Sequence, residues 1–176
     1  MKQHDAGLVC LFALAAALGG CATPGATPGP VASASLSATK GNTVTGTVRF
    51  SQAGAKLRVQ AQVAGLAPGP HGFHVHEKGD CSAADGSSAG GHFNPQAKSH
   101  AHPDAADRHA GDLPQLIADA AGEARLDFEI DLIRIGEGAT DILGRAVVVH
   151  AGADDFKSQP TGNSGPRVAC GVIQRG

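Results

Sequence analysis

In Gly72-Phe73-His74-Val75-His76, strand alternation sends Phe73 and Val75 to one face and both imidazoles to the other, so two metal-ligating side chains enter one space. Further along, His92, His100, His109 and Asp112 fall within one long connection, and His150 closes a later apolar run just before a second connection. Together these are six imidazoles and one carboxylate. A single His on a strand is more often a structural hydrogen-bonder than a ligand, but that reading weakens when several gather beside long loops. Imidazole suits copper and zinc, and an added carboxylate suits zinc better than copper. Two metal sites of mixed type are open on chemistry alone.

The elements that must position these residues read as strands. Period-two alternation runs through residues 44–50, 57–63 and 126–132; in the last, every second residue is apolar and each intervening one is acidic, a pattern that a helix would scatter around its axis. Segments 33–39, 71–77, 114–120, 145–150 and 167–174 complete a set of eight, punctuated by Gly and Pro. The expectation is an all-β domain, an eight-stranded antiparallel barrel or sandwich. Residues 78–113 and 151–166 are too long for simple turns and are read as functional loops. The chain has 176 residues, enough for one sizeable core but not for two domains. Its net charge is −2 and its basic residues are dispersed, which excludes nucleic acid as a partner. With six Phe and neither Trp nor Tyr, a lectin-like sugar site or an aromatic ligand cage lacks material.

Four segments then carry a specific resemblance. Gly72-Phe73-His74-Val75-His76-Glu77, Gly90-Gly91-His92-Phe93-Asn94-Pro95, Arg108-His109-Ala110-Gly111-Asp112-Leu113 and Gly162-Asn163-Ser164-Gly165-Pro166-Arg167-Val168-Ala169-Cys170-Gly171-Val172-Ile173 resemble, in order and in approximate spacing, the copper/zinc superoxide dismutases. The resemblance implies a Greek-key arrangement of the eight strands. It also implies copper on His74, His76, His92 and His150, zinc on His92, His100, His109 and Asp112, and His92 as the shared imidazolate. Asp154 matches the carboxylate that links ligands of the two metals, and Arg167 the arginine that draws in and positions the superoxide anion. The implied reaction is a redox cycle in which one superoxide reduces Cu(II) and leaves as dioxygen while a second reoxidises Cu(I) and leaves as hydrogen peroxide. His92 and Arg167 are its expected catalytic residues, and zinc keeps its oxidation state. His102 competes with His100, but only His100 keeps the family's spacing to His92 and His109. His71 reads as a structural side chain beside the copper strand. The second loop offers only Lys157 as a cation, which leaves Arg167 to steer largely alone.

The first 20 residues, with Lys2 and an apolar run over residues 8–18, read as a signal peptide. Leu18-Gly19-Gly20-Cys21 resembles a bacterial lipobox, which makes Cys21 the expected lipidated residue and its anchor the only membrane contact. Residues 21–32, rich in Pro and Gly, read as a flexible tether, and residues 33–176 as the domain. The expected location is the bacterial cell envelope, on the periplasmic side. With Cys10 discarded and Cys21 acylated, Cys81 and Cys170 remain to pair in an oxidising compartment, and the family has the same bridge. A homodimer is open, with no surface assigned. The competing function is a non-catalytic envelope protein that binds or buffers copper; intact ligand sets and Arg167 count against it. A copper-only relative is disfavoured by His100, His109 and Asp112, and an adhesion module by the lack of exposed aromatic residues.

Overall fold

A computed structural model describes residue 1 and residues 29–176. The segments expected to be the leader and most of the tether, with Cys21, lie outside the described residues. Among the described residues there are ten strands: β1 (Val31–Ala38), β2 (Thr45–Ala53), β3 (Lys56–Ala64), β4 (Gly69–His71), β5 (Phe73–His76), β6 (Leu116–Ala118), β7 (Ala124–Ile130), β8 (Ala146–His150), β9 (Arg167–Val172) and β10 (Gln174–Arg175). Each of the eight expected strands is present. Two are split: Gly72 separates β4 from β5, and Ile173 separates β9 from β10. β1 takes in Val31 and Ala32, assigned above to the tether, because they pair with Ser51 and Phe50 of β2.

The strands form a curled antiparallel sheet in the order β5-β8-β9-β1-β2-β3-β7, with β10 on β1 and a separate β4–β6 pair. Neighbours such as β3 with β7 and β9 with β1 are far apart in sequence, the crossovers of a Greek key. β1 closes the turn of the wall by pairing with β2 along most of its length and with β9 at Ser37 and Ala38. Alternation explains the interior. On β3, Leu57, Val59, Ala61 and Val63 are buried while the residues between them are exposed. On β7, Leu126 and Phe128 pack against the core, whereas Asp127 faces solvent and accepts the fork of Arg58 through two hydrogen bonds of 2.8 and 2.6 Å. Phe50, Leu57, Phe73, Leu113, Leu116, Ile133, Ile142 and Ile173 are fully buried in one core.

Two strands are buried on both faces, and that is what makes the site. All four residues of β5 and all five of β8 are buried. Phe73, Val75, Val147 and Val149 face the core; Ala146 and Val148 join Ala89 and Cys170 in a second apolar cluster on the outer face. His74 pairs with Val148, so the imidazoles leave the barrel on this outer side, beneath the first loop.

The disulfide Cys81–Cys170 pins that loop to β9, with Cα atoms 5.8 Å apart and the partners 89 positions apart in sequence. Closing a loop of this length removes chain entropy from the unfolded state equivalent to about 4–5 kcal/mol on the loop-closure model. Reduction, or Cys81→Ser with Cys170→Ser, is expected to lower the thermal midpoint of the metal-free protein by many degrees. An unchanged midpoint on calorimetry with and without reductant would contradict a structural role for the bridge.

Candidate metal centre

Two segments of the first loop lie along the free edge of β5. The Val75 amide donates to Gly111 O (3.0 Å), Val75 O accepts from the Phe93 amide (2.8 Å), and the Gly111 amide donates to Phe93 O (2.9 Å). Bridges thus set His76 opposite His92 and His74 opposite Asp112. Gly111 is required by close approach: a Cβ there would collide with Val75 O and meet Phe93 at 3.1 Å. His150 arrives from the other side of β5, its amide bonded to Gly72 O at 2.9 Å. Phe93 is in turn clasped by Arg145, whose guanidinium carbon lies 3.6 Å from the ring centroid.

The six imidazoles and Asp112 gather into two buried groups, His74-His76-His92-His150 and His92-His100-His109-Asp112, with His92 common to both. Within each group the ligand atoms lie within 4.8 Å of one another. The rings are oriented by what their outward nitrogens bond. His76 Nδ1 donates to Gly90 O (2.9 Å) and His150 Nδ1 to Gly165 O (3.1 Å), leaving their Nε2 atoms 3.5 Å apart. His74 Nε2 donates to Asp154 Oδ2 at 2.6 Å, and its Nδ1 is buried without a partner. His92 Nδ1 reaches Asp112 Oδ1 at 2.9 Å and His109 Nδ1 at 3.5 Å, while its Nε2 is also buried and unpartnered. An unpaired buried nitrogen costs free energy unless something occupies its lone pair, and two such nitrogens converge on the first group. A cation answers both.

Asp112 and Asp154 frame the pair of groups. Asp112 Oδ1 stands 2.9 Å from His92, 3.0 Å from His100 and 3.4 Å from His109, while Oδ2 accepts the amides of Ala101 and His109. Asp154 spans the two groups, taking His74 Nε2 on one oxygen and His100 Nε2 (2.9 Å) on the other. Its own amide is fixed by Gln115 Oε1 at 2.9 Å. Gln159 clamps His100 from the second loop, accepting its amide (2.9 Å) and donating to its carbonyl (2.8 Å).

Burial makes the first group a set of neutral ligands. It lowers His74 to about 3 against the pull of Asp154, lowers His150 to about 4, and holds His76 well below the usual imidazole value. His92 is lowered by burial as well, despite Asp112. At His100 burial also works against charge, but hydrogen bonds to Asp112 and Asp154 prevail and raise it to about 9. Burial would lift both carboxyls; their imidazole partners instead hold Asp112 and Asp154 well below the ordinary carboxylate range. The second group, anionic through Asp112, has the mixed N/O donor set that suits zinc, and the all-imidazole group suits copper.

The chain matches the family model for copper/zinc superoxide dismutase (SODC) over residues 44–173. It belongs to that family. It is 41% identical over 179 residues to the superoxide dismutase [Cu-Zn] of Deinococcus radiodurans (strain R1), covering 95% of each chain. It is 44% identical over 138 residues to the enzyme of the same name from Paramecium bursaria Chlorella virus 1, covering 74% of this chain and 72% of that one. A solved structure titled as that of the clock protein EA4 superposes with a TM-score of 0.76 at 45% identity, covering 86% of this chain and 98% of that one.

Within this copper/zinc superoxide dismutase domain, the structure brings together every ligand residue named from the sequence, and Asp154 touches both groups. Arg167 lies opposite His150 in the β8–β9 register, half-buried, donating to Gly86 O (2.6 Å) and Gly90 O (2.5 Å). His102 is exposed and lies against Phe156, apart from both groups. His71 is buried with its ring nitrogens 2.8 Å from His150 O and 2.8 Å from Ala67 O. Sequence reasoning missed Gln115, Gln159 and the acceptor carbonyls of Gly90 and Gly165. It also missed why Gly162 must be glycine: φ is +69°, and a Cβ would collide with Asp154 Oδ1 and lie 2.5 Å from His100 Nε2. The one available signal was a glycine at the head of the Arg167 motif.

These protonation states predict the proton balance of metal loading. Near neutral pH, His100 carries a proton toward each carboxylate, and a zinc ion taking its Nδ1 displaces one of them. His92 keeps one ring proton while a single group is filled and loses it when both are. Calorimetric titration in buffers of different ionisation enthalpy is expected to show about one proton released with zinc and about one more with the second metal. The zinc-linked release should fade as pH rises through about 9. Proton-neutral binding of both metals would contradict this arrangement.

Proposed function

We propose that the protein is a superoxide dismutase that converts two superoxide anions and two protons into dioxygen and hydrogen peroxide. The observation that carries this reading is the shared ring of His92, with Nε2 turned to an all-imidazole group and Nδ1 to the group containing Asp112. Copper would be held by His74, His76, His92 and His150, and zinc by His92, His100, His109 and Asp112. Copper supplies the one-electron redox couple when bound, and zinc a fixed positive charge that does not change oxidation state.

The chain's own residues supply positioning, charge and protons. The carbonyls of Gly86 and Gly90 hold the Arg167 guanidinium in place beside the first group, where its charge attracts and orients a small anion. Gly90 O also fixes His76, so one carbonyl sets the relative position of ligand and arginine. His92 Nε2, buried and turned to the all-imidazole group, is the position from which a ring proton can pass to departing peroxide. Asp154 holds Nε2 of both His74 and His100, which aims Nδ1 of His74 into the first group and Nδ1 of His100 toward Asp112 in the second.

The proposed setting is the bacterial cell envelope, with export through the leader and anchorage through Cys21. Support comes from the leader and the Leu18-Gly19-Gly20-Cys21 segment, and from a disulfide of the kind that persists in oxidising compartments. A homodimer is not needed to complete the site, since one chain contributes all residues of both groups.

Dismutation by protein reconstituted with copper and zinc, measured beside His92→Ala, tests the reading. The expected result is rapid turnover that falls by at least about 100-fold in the variant, more than loss of a merely supporting group costs a metal site. Binding of both metals with no rate above free-metal background would instead favour a copper-handling protein.

A further inference from the structure

The turn after β1 places a second cation beside Arg167. A cavity of about 340 Å³ is lined by Lys40 and Asn42 from this turn, Asp85 from the disulfide-pinned loop, and Gly165 and Arg167 from the far side. Its ionisable groups are Lys40, Asp85 and Arg167, one positive charge in excess. It adjoins the all-imidazole group: Gly165 O holds His150 Nδ1, and Arg167 shares Gly90 O with His76.

Lys40 is exposed and forms no ion pair among the described residues, so its charge is not neutralised by the protein. Its backbone is well placed for a steering role. The Lys40 amide donates to Ala84 O (2.7 Å), Asn42 Nδ2 donates to Thr39 Oγ1 (2.8 Å), and that hydroxyl donates to Arg167 O (2.8 Å). The turn is therefore laced to both Arg167 and the disulfide loop. Asp85 is held by the Ser87 amide at 2.9 Å and opposes the two cations. Lys157, the one cation of the second loop, does not line this cavity.

We propose that Lys40 is a guiding residue for the anionic substrate, acting with Arg167 and opposed by Asp85. This inference rests on the dismutase reading and adds a residue that determines access. Superoxide is a small monoanion whose encounter rate follows the local field, so charges within about 10 Å of its path act at low salt and are screened at high salt.

The test uses the full chain loaded with copper and zinc, as wild type, Lys40→Gln, Lys40→Glu and Asp85→Asn. Two quantities are measured across ionic strength: kcat/KM for superoxide, and the dissociation constant of azide read from the copper(II) spectrum. At low salt the expected order for both rate and azide affinity is Asp85→Asn above wild type above Lys40→Gln above Lys40→Glu, each step about twofold, the size expected of one charge at about 10 Å in water. The four should converge at high salt. Equal values throughout, or differences that survive high salt, overturn the proposal. If the loaded protein lacks dismutase activity, the functional reading fails, and the azide order alone then supports or overturns a guiding role for Lys40.

Discussion

Each buried imidazole must satisfy two nitrogens; His71 spends both on backbone carbonyls, and the metal centre depends on histidines that use one for the protein and keep the other for a metal. A histidine that spent both on hydrogen bonds could not ligate; one that spent neither could point anywhere. His76, His150 and His74 each bond an oxygen on one side and turn the other nitrogen inward. His92 alone faces two groups at once. Its ring can serve both because Asp112 orients Nδ1 and burial isolates Nε2.

The fold serves this constraint by presenting a doubly covered pair of strands. On an ordinary antiparallel barrel the outer face of β5 and β8 would be wet and its side chains mobile. Here the first loop lies along the β5 edge, the second loop brings Asp154 and Gln159, and the disulfide holds the loop bearing Gly86 and Gly90 against β9. The loops are long because they form the roof of the site. Their backbone groups double as parts of the machinery: Gly90 O bonds both His76 and Arg167, so ligand geometry and anion attraction share one atom.

Much of this was legible in the sequence, for identifiable reasons. Alternation in residues 57–63 and 126–132 reports one wet face directly, and the FHVH run reports opposed core and ligand faces. Cys81 and Cys170 could be paired by elimination once two other cysteines were assigned to the leader and its end. Strand ends were less legible, since Val31 is ordered by pairing with Ser51 and nothing local to Val31 signals it. Backbone acceptors such as Gly165 O carry no side-chain signature. Gly111 and Gly162 matter because of distant atoms, Val75 O and Asp154 Oδ1, that come near only after folding. The tie between Lys40 and Arg167 likewise joins residues 127 positions apart in sequence and is visible only once β1 meets β9.

The central claim is that one imidazole joins two different metals. The most direct measurement is anomalous diffraction at the copper and zinc absorption edges from crystals of the loaded protein. The account predicts copper among His74, His76, His92 and His150, zinc among His92, His100, His109 and Asp112, and His92 in contact with both through opposite nitrogens. A single occupied group, or two metals with His92 bound to only one of them, would contradict it.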